Sequence, residues 1–373
     1  MVRNRGGLTL LELIVVMIIL AMMMTIAVSL MMGASRELSV PTTVTHIESL
    51  ARTARATARQ EGSPAWMLFE TKARRISIMS SETIWTWHFE DMTDGAAQTT
   101  GSFGRTAAFK TTGGSRSSFS VTQGKVGLGV WARADGWIEF PDIPRYHPEQ
   151  GFVAEFWILR EDTNATQTLF KAGSVLEVTL ESDNFQVRDC TGCGKRLPVR
   201  DLQCQLCGQR MPPAVRGRDL SGMILHVKVG RMDLQTYDTL PAFAWIKVAI
   251  MFAAGEARVY VNDSLVAAKK GSLDWPGPVK LVAGARSGGF RGIFDEFRLG
   301  LVVPRETFPL PREIELEFQG TSKPDKDGNF VLHFDPEGRL ERARHTAAVD
   351  LKVLGPEKQE QTLKFETNGS VKK

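Results

Sequence analysis

Four cysteines stand within 18 residues of one another as two Cys-x-x-Cys pairs, Cys190 with Cys193 and Cys204 with Cys207. A Cys-x-x-Cys turn points two sulfurs to one side while nearby backbone N–H groups stabilise the thiolates. Two such turns give the tetrahedral four-sulfur set that zinc prefers. Gly194 and Gly208 follow the pairs and relieve each turn. Residues 188–212 are too few to bury a core of their own, so bound metal would supply much of their folding energy. With four protein ligands no coordination position is left for a substrate, which makes the expected zinc ribbon structural. It is expected to protrude from a loop between strands at Leu176–Leu180 and Met223–Val229. Two disulfides, favoured in an exported domain, and a redox Cys-x-x-Cys are the alternatives. Asp295 and Glu296 are weaker candidates, as calcium ligands near a sheet edge, against the plainer reading of an acidic turn or a salt bridge. The six histidines are scattered, without metal-binding spacing.

The second chemically loaded residue is Glu12, the lone acid in the apolar run GGLTLLELIVVMIILAMMMTIAVSLMM over residues 6–32. A carboxylate inside a bilayer-length helix costs about 2.5 kcal/mol or more, so it needs a partner. Leu8–Met32 is long enough for the roughly 20 residues that cross the hydrocarbon core. The short flank before it carries Arg3 and Arg5, which keeps the N-terminus cytoplasmic and sends the rest outward. A plain membrane anchor accounts for the length and leaves Glu12 unexplained. An ordinary secretory signal would need a better cleavage site than Met31-Met32-Gly33-Ala34-Ser35.

Gly7-Leu8-Thr9-Leu10-Leu11-Glu12-Leu13 resembles the signal of type IV pilins and type II secretion pseudopilins. The resemblance implies cleavage by prepilin peptidase between Gly7 and Leu8, methylation of the new N-terminus, and insertion in the bacterial inner membrane with a single pass and an exported C-terminal domain. It also implies other pilin or pseudopilin subunits as partners. In a filament of parallel helices Glu12 would pair with the free amine of a neighbour's Leu8, lowering the cost of burying both charges. Leu8 stands where phenylalanine is commonest, and Ser29 where major pilins often carry a proline.

The elements that would carry these groups follow from periodicity. Val44, Ile47, Ala51, Ala54 and Ala58 recur at helical spacing, with Glu48, Arg52, Arg55 and Arg59 on the other faces. Pro41 is expected to bend this helix and Gly62-Ser63-Pro64 to stop it. First strands are expected at Ala65–Glu70 and Arg75–Ser80, and later ones within Asn329–Arg339, ahead of its Pro/Gly turn, and at Val349–Leu354 and Thr362–Glu366. The stretch 50–59, the turn Phe334-Asp335-Pro336-Glu337-Gly338-Arg339 and the ending Thr367-Asn368-Gly369-Ser370-Val371 are similar to the H-type minor pseudopilins and FimT-like pilins. Between the two halves, segments at 85–91, 123–130, 136–141, 152–158, 245–249, 256–263 and 294–299 resemble a laminin-G-type, concanavalin A-like jelly roll. Short strands alternating apolar and polar residues suit two packed antiparallel sheets. Asn262-Asp263 supplies a hairpin turn. Trp85, Trp87, Trp131, Trp137, Trp157 and Trp245 are expected in the sandwich core rather than as sugar platforms.

The expected class is therefore α+β: a long N-terminal transmembrane and amphipathic helix packed on a small antiparallel sheet in a pilin fold, with an inserted all-β jelly roll and a short zinc ribbon. The expected divisions are a leader at 1–7, a membrane helix at 8–32, the helix continuation and first strands at 33–84, the sandwich at 85–308 with the ribbon nested at 188–212, and closing strands at 309–373. Lys and Arg number 46 against 42 Asp and Glu, for a net charge of +4. With no long basic run, nucleic acid is not an expected partner. No Glu-x-Asp-x-x-Glu, Gly-x-Ser-x-Gly, Walker loop or HExxH is present, so no catalysis is expected. A structural filament subunit is one functional expectation. A membrane-anchored adhesin whose sandwich binds a glycan or protein is the other.

Overall fold

The computed structural model describes residues 17, 22–24, 39–91, 98–101, 106–111, 119–133, 135–142, 151–161, 165–212, 218–275, 278–319, 324 and 328–373. The processing and assembly residues Gly7, Leu8 and Glu12 lie outside these, as does most of the expected span Leu8–Met32. Met17 and Met22–Met24 within it are helical and exposed. Among the described residues no helix is long and apolar enough to cross a membrane.

Helix α1, Ser39–Glu61, opens the ordered body. Val40, Val44, Ile47, Leu50, Ala51, Ala54 and Ala58 form its buried stripe, the three- and four-residue spacing that puts side chains on one face. Pro41 is its third residue, a first-turn position where the ring is tolerated. At the other end Gly62 takes φ +58° and the Ser63 N–H reaches the Ala58 carbonyl at 3.3 Å, closing the helix. The stripe packs on β1 (Ala65–Glu70), the start of β2 (Arg75–Trp87) and β20 (Asn329–Phe334). It also meets the four-stranded sheet β19 (Glu315–Gln319), β21 (Val349–Leu354), β22 (Glu360–Phe365) and β23 (Val371–Lys372).

Three stretches far apart in sequence meet at one corner of this body. The Arg59 Nε donates to the Glu337 carbonyl at 2.7 Å, and the Leu340 N–H to the Thr367 carbonyl at 3.2 Å. Gly369, at φ +80°, approaches so closely that a Cβ there would lie 2.1 Å from the Gly338 carbonyl oxygen. The helix stretch, the Pro-Gly turn and the C-terminal ending are thus one structural feature.

The rest is a β-sandwich. One sheet, of ten strands, runs β16 (Ser264–Lys270), β15 (Glu256–Val261), β14 (Trp245–Ala253), β8 (Gly151–Arg160), β18 (Gly292–Pro309), β2, β1, β20, with β5 (Phe119–Gln123) and β6 (Leu128–Ala132) joined beside β18. The facing nine-stranded sheet runs β13 (Met232–Gln235), β12 (Arg218–Val229), β10 (Leu176–Asp189), β9 (Gln167–Ala172), β17 (Leu281–Gly284), β7 (Gly136–Glu139), β4 (Thr106–Thr111), β3 (Gln98–Thr100), with β11 (Arg196–Pro198) on β10. Between them lies an aromatic core containing Trp87, Phe140, Phe156, Phe170 and Phe297. Trp85, Trp87 and Trp137 are buried as expected, but Trp157 and Trp245 are half-buried and Trp131 is 41% exposed. On β8 the inward positions fall to Phe156 and Ile158, so the alternation of a strand turns Trp157 and Glu155 to the other face. Asn262 and Asp263 both take positive φ, +48° and +61°, the geometry of a tight hairpin turn.

Strands β2 and β18 belong to both units. They pair antiparallel from Phe297 against Trp87 to Pro309 against Arg75, with bulges at Leu299/Gly300 and Pro304/Glu306. The Arg75 end of this ribbon lies under α1 and the Trp87 end lies in the sandwich core. The chain enters and leaves the sandwich along one continuous pair of strands.

Candidate metal centre

The two cysteine turns have the same backbone. Cys190 N–H donates to the Lys195 carbonyl at 2.8 Å and Cys204 N–H to the Gln209 carbonyl at 2.9 Å. Gly194 N–H closes on the Cys190 carbonyl at 2.8 Å and Gly208 N–H on the Cys204 carbonyl at 2.9 Å. Both glycines sit in the left-handed region, φ +72° and +73°, where a side chain would be strained. The turns face each other. Cys190 Sγ is 3.6 Å from Cys207 Sγ, Cys193 Sγ is 3.7 Å from Cys204 Sγ, and all four sulfurs lie within 4.8 Å of one another.

These distances are compatible with a tetrahedral metal site. Sulfurs on a tetrahedron with Zn–S of about 2.3 Å stand about 3.8 Å apart, close to the spacing seen, whereas all four cysteines are free thiols here. The hydrogen bond from Cys193 holds the Cys204 thiol down, to about 5, and the same contact pushes Cys193 up. Burial pushes Cys207 up, to about 11. A divalent cation among the sulfurs would supply positive charge that favours their thiolate forms. The four cysteines form a cluster within metal-binding distance, compatible with zinc.

The ribbon does not protrude. Cys190, Leu197, Cys204, Leu206 and Met211 are buried in a third apolar cluster against the outer face of the ten-stranded sheet. Its floor comes from the sandwich strands, with Met251, Tyr260, Leu265 and Ala268, and from the smaller body, with Trp66 and Met79. The Arg344 Nη1, in the segment after β20, donates to the Leu206 carbonyl at 3.3 Å, and Lys195 Nζ donates to Ser264 Oγ on β16. The physical reason is that a unit without a core must find apolar surface elsewhere, and this sheet face has it. The sequence signal was present in Leu197, Leu206 and Met211, apolar residues that a solvated loop would not carry.

Asp295 and Glu296 do not form a cation site. Asp295 is fully buried, and its Oδ2 accepts the backbone N–H groups of Lys125 at 2.7 Å and Val126 at 2.9 Å, its Oδ1 that of Glu296 at 2.8 Å. Burial pushes its carboxyl up against those donors. Glu296 faces away, on His88 Nδ1 at 2.8 Å. Asp295 thus fixes the 124–127 turn, in keeping with the plainer structural reading of this pair. Glu155, solitary in the sequence, is buried and paired with Arg298 at 3.2 Å.

Residues 2–28 match the family model described as the prokaryotic N-terminal methylation motif. That match indicates a pilin-like N-terminal signal of the kind that prepilin peptidase processes, and it suggests membrane anchoring followed by assembly with other pilin subunits. No curated protein matches the chain. Among solved structures it is similar to domain 4 of the extracellular arabinanase AbnA of Geobacillus stearothermophilus, at 16% identity and TM-score 0.39 over 59% of this chain and 92% of that one. It is similar to the Trypanosoma rangeli sialidase at 11% identity and TM-score 0.36, over 58% of this chain and 30% of the sialidase. The binding domain of botulinum neurotoxin DC follows at 8% identity and TM-score 0.34, over 76% and 73%. These likenesses fit an inserted β domain and go no further. The expectation that no catalysis occurs is corrected by them: a sialidase and a domain of an arabinanase stand among the similar structures, so missing motifs of other hydrolases do not exclude an enzyme. At such identities no activity follows either.

Proposed function

We propose that this chain is a minor pilin-like subunit of H type, of a type II secretion pseudopilus or a type IV pilus, that displays a laminin-G-like sandwich from its filament. The prepilin-type signal over residues 2–28 is the observation that carries the reading. Cleavage falls between Gly7 and Leu8, and Glu12 pairs with the N-terminus of a neighbouring subunit inside the filament, setting the axial register. The stripe of α1 against β1, β2 and β20 supports a helix that continues from the membrane segment into the exported body. The division at 85–308 is proposed with it. Strands β2 and β18 place the ends of the sandwich side by side, so the insertion leaves the smaller body's sheet continuous.

Cys190, Cys193, Cys204 and Cys207 hold a structural zinc ion in this proposal. The metal supplies folding energy to the ribbon, and the ribbon in turn covers the sheet face shared by both bodies. N-terminal sequencing and mass analysis of the native protein test the main claim. A methylated Leu8 at the start is expected, and an intact Met1 would overturn it. Glu12→Ala should still be inserted and cleaved but enter filaments poorly; normal incorporation would remove the pairing.

A further inference from the structure

A cleft of about 250 Å³ opens where the ribbon, the sandwich and the smaller body meet. Arg258, Lys270, His333 and Arg344 line it, with Glu256 opposite. Arg258 on β15 is 2% exposed, and its guanidinium lies over the Trp66 ring, 5.4 Å from the centroid. Its Nε donates to Glu256 Oε2 at 2.8 Å. Its Nη1 is buried and has no hydrogen-bond partner among the described residues. The other oxygen of Glu256 is 2.8 Å from Arg344 Nη2. One carboxylate therefore serves two guanidiniums, with the Lys270 ammonium at the exposed rim.

Two further acids and bases complete the surroundings. Burial pushes the Glu341 carboxyl up. Burial first, then the charges of Arg258 and Arg344, hold His333 well below its ordinary value and keep it neutral. Arg258, Arg344 and Lys270 share this cleft with the Glu256 carboxylate and with Cys207 of the neighbouring turn. A buried charged donor left without a partner costs more than a neutral one, and a guanidinium nitrogen in that state suits an oxyanion.

Tyr260 as well as Glu256 bonds the Arg258 guanidinium, which leaves Nη1 as its unpartnered donor among the described residues. We propose that this cleft is a binding site for a small oxyanion, a sulfate, phosphate or carboxylate group, held by Arg258 Nη1 with Lys270 closing the rim. Arg258 and Lys270 come from β15 and β16, and Arg344, which shares Glu256, from the segment after β20, so the anion would sit where the sandwich meets the smaller body.

Isothermal titration of the zinc-loaded, detergent-solubilised full chain tests this, with the thiolate charge of the neighbouring turn in place. Sulfate, phosphate and acetate are compared at matched ionic strength against chloride. Saturable binding is expected for at least one of them, and the preferred anion separates a tetrahedral source from a carboxylate one. Arg258→Gln should weaken it about tenfold or more and Lys270→Ala about threefold, charge-assisted bonds being the stronger kind. Because Arg258 is buried, Lys270→Ala, at the rim, guards against a result that reflects misfolding alone. No saturable binding of any of the three anions, or affinity unchanged in Lys270→Ala and in a folded Arg258→Gln, overturns the proposal.

Discussion

The sandwich and the ribbon solve the same problem by different means. The sandwich brings two sheets together over Trp87, Phe140, Phe156, Phe170 and Phe297, enough aromatic surface to hold its fold without help. The ribbon has Leu197, Leu206 and Met211 to bury and no second layer of its own. It borrows one layer from the outer face of the ten-stranded sheet and gathers four sulfurs at its centre. Small units lack volume, not hydrophobicity, and they replace it with a metal and a neighbour's surface. The borrowed surface also belongs to two bodies at once, so the ribbon spans the junction that β2 and β18 build from below.

Removing the metal centre should break the two regions apart most sharply. Cys190→Ser with Cys204→Ser is expected to abolish stoichiometric zinc and open residues 190–211 to protease, since apparent zinc free energies in small units reach roughly 10–16 kcal/mol. The sandwich should keep its near-ultraviolet dichroism. The apolar face with Met251 and Leu265 should then bind a hydrophobic dye. A ribbon that stays protected without metal would mean the borrowed surface alone suffices. The converse change is Trp87→Ala, which removes a fully buried ring from the sandwich. It should cost about 3–5 kcal/mol in denaturant unfolding while zinc content remains unchanged. Zinc lost along with it would show the two regions to be one cooperative unit.

Much of this was legible because it is local. β1 and β21 fall where alternation placed them, and the Asn262-Asp263 turn has the positive φ values its residue types favour. The four cysteines met because each turn is closed by bonds within five residues. What sequence reading missed was long-range. β2 runs on to Trp87, past the expected end at Ser80, because β18 pairs with it over its whole length. The sequence reads Asp295 as a calcium candidate or as part of an acidic turn or salt bridge, and only the fold brings the 124–127 turn to its oxygens. The resting place of the ribbon depends on a sheet face assembled from residues 66 to 343, which no local pattern encodes.

A buried histidine gives the smaller body a pH response of its own. Burial first, then the charge of Arg344, hold His345 down, to about 3, and its Nε2 accepts the His333 backbone N–H at 3.1 Å. That nitrogen must be unprotonated to accept. The folded state therefore binds fewer protons than the unfolded chain, whose histidine titrates at about 6.5. The stabilisation is complete above that value and falls as pH drops toward 3, by a few kcal/mol in all. Unfolding midpoints should decline over this range, and His345→Gln should flatten the decline. An unchanged slope would assign the acid response to other groups.

The smallest change tests the turn geometry of the ribbon. At Gly194 a Cβ would meet nothing within 4 Å, so Gly194→Ala adds no clash and its cost is backbone strain alone, at φ +72°. Left-handed geometry costs an ordinary residue about 1–2 kcal/mol. Because Gly194 N–H closes the turn on the Cys190 carbonyl, that strain should appear as weaker metal binding, on the order of ten-fold in a chelator competition. Denaturant stability of the sandwich should not move. Equal metal affinity in Gly194→Ala would mean that the first turn relaxes without disturbing its sulfurs, and that the borrowed sheet face, rather than the turn, sets their positions.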